Sequence, residues 1–97
     1  MTTTQDTSAK RIKTPEEVVG GMRRMIKAVE IRATTEDPWM AKEMLDMAKE
    51  LEEATVRVVA SLRARGYRWE DIAFQFEISA TTAVKRWAKR VDEINAK

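Results

Sequence analysis

Apolar residues along this chain recur at three- and four-residue steps, the spacing that puts them on one side of an α-helix. The first such run follows "TPEE", where Thr14 caps, Pro15 suits the first turn, and Glu16 and Glu17 lie where a helix dipole favours negative charge. Val19, Met22, Ile26, Val29 and Ala33 then form one stripe, and the helix is expected to end near Thr34. Gly20 and Gly21 interrupt it, each weakening the helix by roughly 1 kcal/mol relative to alanine unless they permit a close helix approach.

A second start signal is "EDPWM", with Asp37 as cap and Pro38 as the first helical residue. From there Ala41, Met44, Ala48, Leu51, Thr55, Val58 and Leu62 alternate steps of three and four. This is the a/d register of a coiled coil, widened by Leu45 and Val59. The helix is expected to run about 28 residues, roughly 42 Å, to a stop at Gly66, with Arg63 and Arg65 in its last turn. The first helix is too short to cover all of it, so part of the seam needs another chain or the C-terminal segment. Met44, Ala48, Leu51, Thr55 and Val58 are the candidate self-association residues.

Past Gly66 the pattern shortens. Trp69 to Phe76 predicts a third helix with Ile72, Ala73 and Phe76 on one side, "EIS" a turn, Ser79 a cap, and Ala80 to about Asn95 a fourth helix. No strand pattern is present. The expected fold is all-α, with two long N-terminal helices forming an antiparallel, dimerising hairpin, followed by a C-terminal helix-turn-helix. Residues 1–13 are expected to be a flexible basic tail (Lys10, Arg11, Lys13), 14–65 the hairpin, and 66–97 the helix-turn-helix packed on the long helix, as one domain overall.

Helical phasing gives the fourth helix two unlike sides. Ala80, Ala83, Val84, Trp87, Val91 and Ile94 gather on one, and Thr81, Thr82, Lys85, Arg86 and Lys89 on the other. A groove-reading unit needs a small residue within its first helix, a short turn ending in a cap, and a polar, basic outer side on its second helix. Ala73, Ser79 and that outer side meet these needs. Thr81, Thr82 and Lys85 are the candidates for base edges. Arg86, Lys89, Arg90 and Arg68 are the candidates for phosphates, with Ser79 and the free amides at the helix start able to hold one more.

The segment "RARGYRWEDIAFQFEISATTAVKRW" resembles helix-turn-helix segments of actinobacterial and actinophage proteins. Those typically read Ala-Gly-Tyr-Ser-Trp-Ala-Glu-Ile-Gly, then Leu-Gly-Val-Ser, then a helix with paired alanines and Arg-Phe. Gly66, Tyr67, Trp69 and Ile72 match the first part, and Ile78-Ser79 matches Val-Ser. Ala83 and Arg86-Trp87 stand where the second alanine and Arg-Phe fall. The likeness covers 25 residues, about 55 if the long preceding helix is included. It implies a DNA-binding role, commonly in transcriptional control. Two positions depart from it: Glu77 replaces the turn glycine, and Ala80 an arginine that often follows the cap.

Charge adds a polarity that hydropathy does not show. Net charge is +2, but residues 1–35 carry +3, residues 36–53 carry −5 and residues 54–97 carry +4. Ile78 to Val91 holds four cations and no acid, which fits an anionic partner at one end. Asp46, Glu50 and Glu53 read as a solvated acidic face or as a surface for a neighbouring subunit's basic segment.

Other chemistry finds little material. The chain has neither cysteine nor histidine, which removes thiolate chemistry, the commonest general base and the commonest metal ligand. No metal, cofactor or catalytic site is expected. Met22, Met25, Met40, Met44 and Met47 read as core or interface filling rather than a soft-metal site. Trp69 and Trp87 phase with the core while Trp39 and Tyr67 stand alone, so no single-strand stacking platform is expected.

No segment reads as membrane-spanning, and "MTTTQDTSAKRIK" lacks the apolar run of a secretory signal. The expectation is a cytoplasmic protein, in the host cytoplasm if phage-encoded, that forms a homodimer and binds double-stranded DNA as a transcriptional regulator. The alternative is a protein-interaction module that keeps the same fold, such as an antitoxin-like, polymerase-associated or DNA-packaging factor.

Overall fold

The computed structural model describes residues 13–97, and these are all-helical apart from turns: α1 (Pro15–Thr35), α2 (Met40–Ala64), α3 (Trp69–Phe76) and α4 (Ala80–Asn95). Two compact units divide between Met44 and Leu45. The expected basic tail lies outside the described residues except for Lys13.

In the first unit, α1 opens with a complete capping box. The Thr14 hydroxyl accepts from the Glu17 amide at 3.1 Å, and the Glu17 carboxylate accepts from the Thr14 amide at 3.0 Å. Two otherwise orphaned donors are satisfied reciprocally. No residue of α1 is buried, and Val19, Met22 and Ile26 are each about half exposed. Among the described residues its apolar stripe is left largely exposed.

Asp37 differs from its expected role as a cap. Its carboxylate accepts from Arg32 Nη2 at 2.6 Å, while Met40 and Ala41 donate back three residues, to the carbonyls of Asp37 and Pro38. A tight turn of this kind lets the backbone satisfy its own first amides. The α-helix begins at Met40, two residues later than Pro38, and a nearby guanidinium takes the carboxylate that the cap would have used.

The second unit holds the core. Val56, Val59 and Ala60 of α2 meet Ile72 and Ala73 of α3 and Ala83, Trp87 and Val91 of α4, and all eight are buried. Leu62, Trp69, Ile78, Ala80 and Ile94 pack around them. The buried face of α2 lies roughly 120° around the helix from the expected a/d seam, taking 100° per residue. Val59 belongs to the core rather than to the seam, while Leu51 and Val58 are each 52% exposed. Thus α2 has two apolar faces, and the C-terminal unit uses one of them.

Both turns of this unit close with the same hydrogen-bond pattern. After α2, Tyr67 donates to the Leu62 carbonyl and Gly66 to that of Arg63, with Gly66 at φ +98. After α3, Ile78 donates to Ala73 and Glu77 to Phe74, with Glu77 at φ 58, ψ 41. This paired closure needs a left-handed residue just past the helix. Gly66 adopts it without a steric penalty. Glu77 pays on the order of 1 kcal/mol for its Cβ.

Candidate functional site

The sequence positions most of the candidate residues through α4. Ser79 caps the helix, its Oγ accepting from the Thr82 amide at 3.0 Å and donating to Thr82 Oγ1 at 2.9 Å. The three-residue link Glu77–Ser79 ties the start of α4 to the end of α3. Ala83, Trp87 and Val91 then anchor one side in the core. Val84, expected on that side, is 39% exposed and lies at its margin.

Thr81, Thr82, Lys85, Arg86 and Lys89 are all exposed. They share the side of α4 opposite Ala83, Trp87 and Val91, and no carboxylate lies on α4 before Asp92. The face presents two hydroxyls, two ammonium groups and one guanidinium, with the unpaired amides of a helix start at one end. The Arg86 guanidinium lies 5.7 Å from the centroid of the Trp87 ring, within the range of a cation–π contact.

Two of the candidates are engaged elsewhere. Arg90 forms a two-armed ion pair with Glu53 on α2, with Nη1 3.2 Å from Oε2 and Nη2 on Oε1. The Arg90 hydrogen bond holds the Glu53 carboxyl below its usual range. Arg68 sits at the start of α3, where its amide donates to Asp71 Oδ2 at 3.2 Å and its Nε lies 3.4 Å from the same oxygen. That backbone bond, then the guanidinium, pulls the Asp71 carboxyl down. Asp71 thereby supplies half of a capping box. The other half is missing because a guanidinium accepts no hydrogen bond.

Arg63 and Arg65, placed by the sequence in the last turn of the long helix, make stacking contacts that it does not show, and Phe74 has an exposure that it does not assign. Arg65 stacks over the exposed Tyr67 ring at 5.4 Å, and Arg63 over Trp69 at 5.1 Å while donating to the Tyr67 carbonyl at 3.0 Å. Phe74 is 78% exposed on α3. The alternation of arginine and aromatic residues in "RARGYRW" is a local signal for the stacked pairs. Phe74 follows from phasing, since it lies off the side that carries Ile72, Ala73 and Phe76.

Trp87 is 3% exposed, and its ring centroid lies 4.7 Å from that of Phe76. Its Nε1 has no hydrogen-bond partner among the described residues. Both Trp87 and Trp69 pack with the core, as their phasing predicted, while Trp39 is 66% exposed. Met22, Met25 and Met47 are exposed rather than packed in a core. Among the described residues no group of three or more acidic side chains is arranged to hold a metal ion, and no helix is long and apolar enough to cross a membrane. No family model, curated protein or solved structure matches the chain.

Proposed function

We propose that α3, its turn and α4 form a helix-turn-helix, and that α4 reads double-stranded DNA in the major groove as part of a transcriptional regulator. One observation carries this reading. The exposed side of α4 offers Thr81, Thr82, Lys85, Arg86 and Lys89 together, without a carboxylate, on a helix fixed by its opposite side. Lysine and arginine reach guanine acceptors and phosphates, and threonine offers a hydroxyl and a methyl to a base edge. Thr81, Thr82 and Lys85 are assigned to base edges and Arg86 and Lys89 to phosphates, with Ser79 and the helix-start amides as a further phosphate contact. Arg68 is a peripheral contact at the start of α3. Arg90 positions α4 through Glu53 rather than meeting DNA.

A gel shift with duplex and single-stranded oligonucleotides tests this. The reading requires salt-sensitive binding that favours the duplex, and no binding to duplex at low salt defeats it.

A second reading, a protein-interaction module that retains the same fold, is favoured by the exposed Phe74 ring. Co-purification separates the two. Nucleic acid removed by salt supports the first, and a stoichiometric foreign protein with no nucleic acid supports the second.

A further inference from the structure

The face of α2 that the core does not use runs along Leu51, Thr55 and Val58, with Leu62, half-buried against the core, at its end. We propose that it pairs antiparallel with α2 of a second copy of this chain. The proposal stands whether or not α4 meets DNA.

Three observations carry it. The first is periodicity: from Ala41 through Leu62 the seam alternates three- and four-residue steps, a 3.5-residue mean that keeps facing a neighbour only when two helices wind around each other. The second is exposure. Leu51 and Val58 are 52% exposed, and Met47 beside them 45%, whereas Val56, Val59 and Ala60 are buried on the core face. A continuous apolar strip of this kind on a soluble helix marks a contact surface. Leu62 and Val58 also line a shallow groove with Tyr67, Ile72 and Phe76, so the apolar surface extends from α2 onto α3.

The third observation is charge, and it fixes both the occupant and its direction. From Glu43 to Glu52 the helix carries four acids and one lysine, with Glu53 held by Arg90, and from Ala54 to Arg65 it and its end carry three arginines and no acid, one of them, Arg63, stacked on Trp69. A parallel partner would set acidic half beside acidic half and basic half beside basic half. An antiparallel copy sets each half beside its complement. One helix that is its own electrostatic complement when reversed suits a two-fold interface, in which the same patch serves both subunits.

The full-length chain is examined by sedimentation equilibrium over a concentration series, together with Leu51→Lys/Val58→Lys. Orientation is read by mixing Met47→Cys with Ser61→Cys, clean probes because the chain has no cysteine of its own. Both positions are exposed and flank the strip, so neither substitution disturbs the core. The expected result is a mass near twice 11.1 kDa, a monomeric double-lysine variant with its helical circular dichroism retained, and disulfides that mainly join position 47 to position 61. A monomeric native chain overturns the proposal, as it would if another segment of the same chain covered the strip. So does a double-lysine variant that stays dimeric. Disulfides mainly joining like positions overturn the antiparallel arrangement even if the double-lysine variant fails to fold.

Discussion

The Arg90 guanidinium grips the Glu53 carboxylate with both terminal nitrogens, joining α4 to α2 across 37 residues of chain. Asn95 adds a second tie, donating from Nδ2 to the Ala60 carbonyl at 3.1 Å. Both hold the outer end of α4 against the helix that supplies three of the eight buried core residues. Replacing Arg90 with alanine is therefore expected to lower the melting temperature slightly while leaving the salt dependence of the proposed DNA binding unchanged. Removing a true phosphate contact would reduce that slope by about one. A change of that size in Arg90→Ala would return Arg90 to the DNA face.

Acid should loosen the same unit. Glu53 and Asp71 both have carboxyls held below their ordinary range, Glu53 by Arg90 and Asp71 by the Arg68 amide and guanidinium. A depressed folded-state value gives stabilisation that is present above the unfolded value and is lost as pH falls through the folded one. Melting temperature should thus be insensitive to pH near neutrality and fall below about pH 4. Glu53→Gln and Asp71→Asn should each show a shallower fall, measured by circular dichroism melts across the acid range. A fall as steep as that of the parent chain would remove these pairs from the account.

Glu77 occupies a left-handed position that glycine fills without strain. Glu77→Gly is expected to stabilise the fold by about 1 kcal/mol and, on the proposed function, to tighten DNA binding by removing a negative charge beside α4. Chemical denaturation measures the first effect and a binding titration the second. Gly66→Ala is the mirror experiment. It forces a Cβ onto φ +98 and should destabilise by a similar amount.

Trp87 is buried, and its Nε1 has no hydrogen-bond partner among the described residues. Truncation to alanine should cost about 3–5 kcal/mol and leave little folded protein. Trp87→Phe removes that donor along with part of the ring, so its cost should be much smaller. Equal losses for the two variants, read from urea denaturation, would mean that the indole nitrogen is satisfied.

Gly20 and Gly21 have room for a methyl group. A Cβ at either would meet nothing nearer than the Arg24 guanidinium, at 3.5 and 3.8 Å. Gly20→Ala and Gly21→Ala should each strengthen α1 by up to about 1 kcal/mol, seen as increased helical signal. A loss of helix would reveal a close approach at those glycines.

The helices were legible where their signals are local. Thr14, Gly66, Ser79 and the core phasing of Trp69 and Trp87 act within a few residues of themselves, so α3 and α4 fall where the pattern predicts. Asp37 shows the limit of such signals, because Arg32, five residues away, competes for the carboxylate. Choosing between the two faces of α2 required tertiary packing. Val56, Val59 and Ala60 are no more apolar than Met47, Leu51 and Val58, and hydropathy alone does not say which set α3 and α4 cover. The recruitment of Arg90 by Glu53 is likewise invisible in a chain where both look like solvated charges. The exposed side of α4 follows from phasing alone, which is why its five residues are the firmest part of the candidate site.

The central claim is that this side meets DNA, and the salt dependence of duplex binding tests it most directly. Fluorescence anisotropy across a salt series should give a straight line of log affinity against log salt, with weaker binding and a slope shallower by about two for Lys85→Ala/Lys89→Ala. Superimposable lines for the parent and the double variant would contradict the account.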